Sequence, residues 1–216
     1  MEESFDVKYL LTTVNDTFKR VSMHGVREEL LNQQAESIGI PLLKIWVQEG
    51  TNEEYEKQME TVLVKSKSEG IRYVIFGDIF LEDLREYREQ NLARVGMEAV
   101  FPLWKMNTHT LIQNFINQKF KAIVCCTNDE YLGKGWLGRR LDQVFLQELP
   151  VNVDPCGENG EYHTFCYEGS IFRKKIDFTV GEKVFKALEI KAVNPNKLPT
   201  NTTTKGFWYC DLLPTV

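Results

Sequence analysis

The residues best suited to chemistry in this 216-residue chain are crowded into one short segment, residues 154–165. This loop combines glycines with acids, an amide, a thiol and an imidazole, namely Asp154, Cys156, Gly157, Glu158, Asn159, Gly160, Glu161 and His163. A surface turn needs only the glycines and the asparagine. The remaining groups indicate a binding or catalytic loop, because loops held on a rigid scaffold are where such sites concentrate.

The ionisable side chains of this loop predict acid–base chemistry. His163 has the pKa range of a general acid or base, and Glu158 or Glu161 could orient an amine or accept its proton. The structural alternative is that Glu161 and His163 pair and brace a hairpin. The spacing of Cys156 and these three residues matches no zinc pattern, so we predict no metal site built by the protein. Mg²⁺ that bridges phosphates and one carboxylate fits the loop better.

A second candidate group follows a strand predicted at Tyr73–Phe76. Gly77 permits the close approach of a ligand, and Asp78 supplies a carboxylate at the carboxyl end of the strand, where ligands of open α/β sheets bind. The alternative is a tight turn from strand to helix. Arg85 and Arg88 lie in the helix that follows, where we expect a solvated charged face.

Ser22 and His24 precede a helix predicted to start near Val26. The N-terminal amides of this helix, together with the two side chains, could receive an anion or a polar substrate. A capping serine and a surface histidine are the simpler alternative.

Residues 133–138 match the spacing G-x-G-x-x-G of a dinucleotide-binding loop. We reject that function, because the first glycine does not directly follow a predicted strand. Gly133 and Lys134 could still hold a phosphate or carboxylate, with Arg139 and Arg140 at the head of a helix that contains Leu141. The alternative is a solvated basic helix start.

Composition narrows the class of protein. A hydrophobic content of 43% with 26% charged residues is ordinary for a soluble globular domain. A net charge of −5 argues against a general nucleic-acid-binding protein, whose surface would be basic. The five cysteines show no C-x-x-C spacing, which is typical of reduced thiols in the cytoplasm. We expect no membrane-spanning segment, because no apolar run is long enough.

Strands and helices alternate through the first two-thirds of the chain, which predicts a parallel α/β sheet. The predicted strands are Val7–Thr12, Leu42–Trp46, Tyr73–Phe76, Ala99–Phe101 and Ala122–Cys126. The predicted helices are Val26–Ile38, Glu53–Ser68, Leu81–Val95 and one capped by Asn107 or Thr108. The continuous apolar run Ala122–Cys126 predicts a parallel strand buried on both faces.

The pattern changes after about Pro150 and predicts a small β-rich lobe. Tyr162–Tyr167 and Ser170–Phe178 flank a two-residue turn and predict a hairpin. Lys183–Val193 is predicted to be extended, and Asn194–Lys205 to be a loop. We therefore divide the chain into an α/β nucleotide-binding domain, residues 1–150, and a substrate-side α+β lobe, residues 151–216.

Several of these segments resemble, in order, the motifs of the diphthine–ammonia ligase family. Cys156–Phe165 and Gly169–Ile176 are similar to its C-terminal signature. Further similar segments are Leu11–Asn15, Ser22–Glu29, Phe76–Ile79, Phe101–Trp104, Leu132–Lys134 and Leu137–Gly138. The resemblance covers nearly all of residues 7–178. It implies an adenine nucleotide alpha-hydrolase-like, Rossmann-like fold and an ATP pyrophosphatase that uses ATP and Mg²⁺.

The implied reaction attaches AMP to a substrate carboxylate and lets ammonia displace it as an amide. The family's named acceptor is diphthine on elongation factor 2, a modified protein side chain. The resemblance implies nucleotide contacts from Thr13, Asn15, Gly77 and Asp78, substrate contacts from Ser22, His24, Gly133, Lys134 and Asn159, and catalysis by Glu158, Glu161 and His163. A homodimer is compatible with it. The alternative is a non-catalytic nucleotide- or ligand-binding protein.

One family motif is absent from these 216 residues, the nucleotide loop Ser-Gly-Gly-x-Asp-Ser. It should lie before Val7, after a strand that is central in the resembled fold and is flanked by the strands led by Val7 and Tyr73. Unpaired buried backbone groups cost on the order of 1–3 kcal/mol each. We therefore expect residues upstream of Met1, or another chain, to supply the strand. Direct hydrogen bonding between the strands led by Val7 and Tyr73 would contradict this expectation.

Overall fold

The computed structural model describes residues 5–47, 52–188 and 205–215, with side chains except at 52–54. Its strands are β1 (Leu10–Asn15), β2 (Arg20–Val21), β3 (Leu42–Val47), β4 (Tyr73–Ile75), β5 (Glu98–Val100), β6 (Lys121–Asn128), β7 (Tyr162–Glu168), β8 (Phe178–Ala187) and β9 (Gly206–Pro214). Its α-helices are α1 (Glu28–Ile38), α2 (Asn52–Ser68), α3 (Glu82–Arg94), α4 (Thr108–Asn117) and α5 (Gln143–Glu148). A 3₁₀ turn spans Lys134–Trp136.

Local sequence signals explain the well-predicted helices. Helix α1 buries Leu30, Leu31 and Ala35 at helical spacing, and Gly39 ends it in the left-handed conformation with φ 82°. Helix α4 begins where the Asn107 side chain accepts a hydrogen bond from the Thr110 amide at 2.9 Å. The prediction of both helices is confirmed.

The N-terminal half contains two short sheets instead of the one continuous parallel sheet that we predicted. Strand β1 pairs in parallel with β3 and, at its carboxyl end, antiparallel with β2. Strand β4 pairs in parallel with β5. Among the described residues β1 and β4 form no pair, and each presents an open edge to the groove between them. We call these two sheets the N-terminal half-sheets.

Contacts at one end show that β1 and β4 run in the same direction. The Phe5 ring contacts the Tyr73 ring at a centroid distance of 5.7 Å. The Tyr9 hydroxyl donates to Glu69, just before β4, at 2.9 Å. The amino ends of both strands are therefore neighbours. Their carboxyl ends, with Thr13 and Gly77, line the other end of the same groove.

The C-terminal sheet has the order β7-β6-β9-β8 and is antiparallel throughout. The prediction that Ala122–Cys126 forms a parallel strand is therefore wrong, although its burial on both faces is confirmed. A continuous apolar run indicates that both faces of a strand are buried. It does not indicate whether the neighbouring strands are parallel or antiparallel. Strand β6 belongs to this sheet, although it lies before residue 150, where we predicted the boundary between the two lobes.

The predicted hairpin around Glu168–Gly169 is also wrong. Strand β7 forms, but residues 170–177 are not a strand, and a backbone hydrogen bond from the Ile176 amide to the Tyr167 carbonyl, at 2.8 Å, joins the two segments outside regular strands. The segment after Gly169 turns back and packs on α1 instead. There the amide of Arg173 donates to the Ser37 carbonyl at 2.8 Å, and the amide of Lys174 donates to the Ser37 hydroxyl at 3.1 Å.

The larger hydrophobic core lies between the C-terminal sheet and the helices that cover it. It includes Leu30 of α1, Val124 of β6, Phe145 of α5 and Leu212 of β9, all fully buried. A smaller cluster, Leu63, Leu92, Val95 and Met97, supports β4 and β5. Beyond Leu188, the rest of the predicted extended segment and most of the predicted loop lie outside the described residues.

Two contacts join the C-terminal sheet to the N-terminal half-sheets. Asp211 of β9 accepts hydrogen bonds from Arg20 at 2.9 Å and from Arg27 at 2.9 and 2.7 Å. These bonds hold the pKa of Asp211 down at about 2. Gly25 lies against Tyr209 with φ 70°, and a Cβ atom there would be 2.6 Å from the Tyr209 ring. Sequence analysis assigned no role to this clamp.

Candidate active site

A groove with a volume of about 1390 Å³ lies between β1 and β4. It runs the length of both open edges. At the carboxyl end of the strands it is closed by the loop that carries the candidate catalytic residues. The predicted site residues that line it are Thr13, His24, Gly77, Asp78, Glu158 and His163. Segments far apart in the sequence therefore meet at one end of the groove.

At the end of β4, Gly77 and Asp78 are arranged to admit a ligand. A Cβ atom on Gly77 would meet nothing within 4 Å, so the space beside this backbone is open. Asp78 is 9% exposed and pairs with Arg88, with 2.9 Å between Nε and Oδ2 and 3.2 Å between Nη2 and Oδ1. The expectation of a solvated Arg88 is wrong, because this side chain also lies over the Phe76 ring at 4.4 Å.

Glu158 joins the loop to the end of β4. Its Oε1 atom accepts hydrogen bonds from the backbone amides of Ile79 at 2.6 Å and Phe80 at 3.4 Å. Burial raises the pKa of this carboxyl group, and the two amides partly offset the effect. A half-buried carboxyl group thus faces the groove close to the Asp78 carboxylate.

Glu161 is used differently, although it lies only three residues away. It is 1% exposed, and its two oxygens accept hydrogen bonds from the Asp154 amide, the Asn159 amide and the Asn159 side chain, each at 2.9 Å. All of these donors belong to its own loop. The contacts are those of a carboxylate that shapes the loop from inside, as in the structural alternative, but with Asn159 as partner rather than His163.

Tight backbone geometry completes the loop. Gly157 has φ 71°, and a Cβ atom there would lie 2.8 Å from the Tyr162 carbonyl oxygen, so only glycine fits. The Cys156 thiol contacts the Thr108 carbonyl oxygen at 3.3 Å. Burial raises the pKa of this thiol to about 12, which keeps it protonated and unsuited to nucleophilic attack.

His24 and His163 face each other at the groove, with ring centroids 4.7 Å apart. Burial and, to a smaller extent, the neighbouring His24 together lower the pKa of His163 to about 4. Burial also lowers the pKa of His24. Nε2 of His163 is buried and has no hydrogen-bond partner among the described residues. Both rings are therefore neutral at pH 7.

The other predicted binding residues lie outside the lining of this groove. Asn15 accepts from the Phe18 amide at 2.9 Å and shapes the turn after β1. Ser22 contacts His24 through its carbonyl oxygen at 3.2 Å. Gly133 is exposed, and Lys134 lies over the Trp208 ring at 5.2 Å. Helix α5 begins only at Gln143, so Lys134, Arg139 and Arg140 are not at its head.

Sequence analysis missed the groups that contact the candidate site residues only in the folded protein. The backbone amides of Ile79 and Phe80 carry no side-chain signal, and Arg88 resembled any surface arginine. The family match at Phe76–Ile79 was the one sequence signal near them. In the described part of the chain, histidine, cysteine and acidic side chains form no cluster of three or more that could hold a metal ion.

Comparisons with known proteins show the family of this chain. The family model of the diphthamide synthase N-terminal domain matches residues 1–99, and that of the diphthamide synthase C-terminal domain matches residues 107–194. The chain belongs to the diphthine–ammonia ligase family. Among curated relatives, the diphthine–ammonia ligase of Bos taurus is 34% identical over 125 residues, and that of Homo sapiens is 31% identical over 138 residues.

The segment aligned with the Bos taurus diphthine–ammonia ligase covers 53% of this chain and 44% of that protein. The segment aligned with the Homo sapiens protein covers 59% of this chain and 49% of that protein. The chain therefore spans about half the length of the curated relatives that it matches. Both family domains contribute to the groove, because β1 and β4 lie in the first match and Glu158 and His163 in the second. Within the residues that the structure covers, no helix is long and apolar enough to cross a membrane.

Proposed function

We propose that this chain acts as an ATP-dependent ligase of the ATP pyrophosphatase type. It adenylates a carboxylate and transfers ammonia to the activated carbonyl to form an amide. The hydrogen bond from the Ile79 amide to Glu158 carries the proposal. It joins the end of the nucleotide-side strand β4 to the acceptor loop, so that the two halves of the reaction share one groove.

ATP is expected at the carboxyl ends of β1 and β4. Thr13 lies on one wall of the groove and Gly77–Asp78 on the other, and the open space beside Gly77 lets phosphate or ribose approach the backbone. Asn15, just beyond Thr13, remains a predicted contact. The carboxylates of Asp78 and Glu158 fit a cation that is held mainly by phosphates. Mg²⁺ bound there would neutralise charge on the departing pyrophosphate.

The loop 156–164 is expected to form the acceptor side of the groove. Glu158 is the loop carboxyl group that faces the strand ends, and we propose that it contacts the reacting carboxylate or amine. Glu161 is proposed as a positioning residue, since all its partners lie within the loop. We retain Asn159, Ser22, Gly133 and Lys134 as predicted contacts of a large acceptor outside the groove.

The acceptor is proposed to be a carboxylate on a modified protein side chain, namely diphthine on elongation factor 2, in the cytoplasm. Calorimetry with ATP, AMP and NAD tests the nucleotide, and tighter binding of NAD than of ATP would overturn the site. Turnover is tested with elongation factor 2 carrying diphthine, ammonium and ATP. Acceptor-dependent release of AMP and pyrophosphate is expected. Tight ATP binding without any AMP release would favour the non-catalytic alternative.

A further inference from the structure

We propose that His24 is the base that removes a proton from ammonium, and that the His24–His163 pair forms the binding site for the nitrogen nucleophile. The inference rests on the proposed function and deepens it. Ammonium has no lone pair and cannot attack a carbonyl, so a ligase that uses it needs a proton acceptor next to the activated carboxylate.

The surroundings of His24 fix which ring nitrogen is the base. Its Nδ1 atom is 3.2 Å from the carbonyl oxygen of Ser22. A carbonyl oxygen can only accept a hydrogen bond, so Nδ1 carries the hydrogen and Nε2 of the neutral ring has the free lone pair. His24 lines the groove, as do Thr13 and Glu158.

The backbone on both sides of His24 is held in an unusual conformation. Met23 has φ 63° and Gly25 has φ 70°, so two left-handed residues flank the histidine. Gly25 is pressed against the Tyr209 ring, which leaves little freedom for the segment. A left-handed methionine is uncommon and is tolerated where the surrounding structure imposes it. These contacts hold the imidazole in place above His163.

His163 supplies the second half of the pair. Its neighbour on β6 is Cys126, which in turn neighbours Tyr209 on β9. Both of these side chains are uncharged at pH 7, because burial raises the pKa of Cys126 to about 12 and that of Tyr209 higher still. The charged groups that line the same end of the groove are Asp78, its ion-pair partner Arg88, and Glu158. Neither imidazole forms an ion pair among the described residues.

An ammonia molecule complements this arrangement. Nε2 of His163 is buried without a hydrogen-bond partner, which is costly for a polar atom. Ammonia has three donors and one acceptor, so it could pair with Nε2 of His163 in either tautomer. Because burial lowers the pKa of His24, its ring is unprotonated at neutral pH and its Nε2 lone pair is available to an N–H bond of ammonium.

The proton and electron count is simple. One N–H bond of ammonium breaks and the proton moves to Nε2 of His24. The freed lone pair forms a C–N bond with the carbonyl carbon of the acyl adenylate. The C–O bond to AMP then breaks and its electron pair leaves with the phosphate. The second surplus proton on nitrogen passes to the departing AMP phosphate, so the products are amide, AMP and protonated His24.

The test compares two nucleophiles in the His24→Asn variant, whose amide can replace the Nδ1 donor but cannot act as a base. With ammonium, kcat/KM for amide formation should fall by about 100-fold or more. With hydroxylamine, which is unprotonated at neutral pH, the rate should fall at least about 10-fold less than with ammonium, because only the contact to the nucleophile is lost and not a proton acceptor. The control is His109→Asn, which changes the exposed third histidine and should alter neither rate.

Acceptor-dependent exchange of pyrophosphate into ATP separates this inference from the proposed function. Exchange at the wild-type rate in His24→Asn, together with the selective loss of ammonium use, supports it. Full ammonium use by the variant overturns it alone, whereas no exchange in wild type overturns the proposed function and the inference together. If His24→Asn does not fold, ¹⁵N NMR of the wild-type imidazole decides: hydrogen on Nε2 rather than Nδ1 overturns the inference.

Discussion

The N-terminal half-sheets and the C-terminal sheet differ in how completely their strands are paired. Strand β6 lies between two neighbours, and Ala122–Cys126 along it are at most 5% exposed. Within the ranges that the structure describes, strand β1 lacks a partner on one edge over residues 10–12, because β2 pairs only with Val14 and Asn15, and β4 pairs only with β5. Tyr73 and Ile75 of β4 are 40% and 42% exposed. The C-terminal sheet therefore supports the loop that closes the groove, and the groove itself lies where strand pairing is incomplete.

Substitutions in the loop 154–165, which closes the groove, give the largest expected effect on stability and activity. Glu161→Gln should lower the free energy of unfolding by about 3 kcal/mol, because an amide nitrogen would replace one acceptor among three inward-pointing donors. Glu158→Gln should change stability little and abolish amide formation. Urea denaturation and the AMP-release assay measure the two effects.

Glu168→Gln is the matched control, since it loses only an exposed ion pair with Lys121 at 2.7 Å. If Glu161→Gln is as stable as this control, the carboxylate does not brace the loop. The division of labour between Glu158 and Glu161 would then be wrong.

The clamp between the two regions gives the next largest effect. Gly25→Ala places a methyl group 2.6 Å from the Tyr209 ring at φ 70° and should cost about 2 kcal/mol or more in unfolding free energy. Gly70→Ala is the control, because its φ is 89° but nothing lies within 4 Å of the added methyl group. Equal losses in thermal denaturation would show that Tyr209 does not restrain the His24 segment.

Sequence analysis predicted the order of helices and strands through residue 117, apart from the two-residue strand β2, because local signals such as the Gly39 stop and the Asn107 cap decide them. It also drew attention to the loop 154–165 through its combination of glycines and ionisable residues, and Glu158 and His163 of this loop line the groove. It failed on strand direction at Ala122–Cys126 and on the partner of β7, because pairing is settled by distant segments. The sequence analysis also predicted no strand at the position of β9, which lies between β6 and β8 in the sheet.

The ion pairs of Asp211 give a smaller effect that depends on pH. The pKa of Asp211 is lowered from 3.8 to about 2, so its contribution is complete above about pH 4 and is lost as the pH falls towards 2. The loss should be about 1 kcal/mol, since the side chain is partly solvated. Asp211→Asn should flatten the stability profile over this range in urea denaturation. Asp177→Asn, which breaks an exposed pair with Lys175 at 2.9 Å, should leave the profile unchanged.

The open edges themselves give the smallest expected effect, a local one. The Leu10 amide bonds to Pro41 and the Phe76 amide to Val100, so the alternate amides of Leu11, Tyr73 and Ile75 point into the groove. They should exchange with deuterium about 100-fold or more faster than Val124 in β6. Protection of all three in this chain would mean that a strand already fills the groove. Binding of an added peptide strand between β1 and β4 should protect these three amides from exchange.

The placement of Asp211 has a consequence for how the protein is made. Its partner Arg20 precedes it by 191 residues, and β9 must insert between β6 and β8 before the larger core closes. At about 5–20 residues per second, a ribosome needs roughly 10–40 s to extend the chain from one to the other. During that interval the arginines lack their partner carboxylate, and β6, once it is synthesised, lacks β9 on one edge. The protein can complete its fold only once synthesis has passed β9, whereas refolding from denaturant has no such delay.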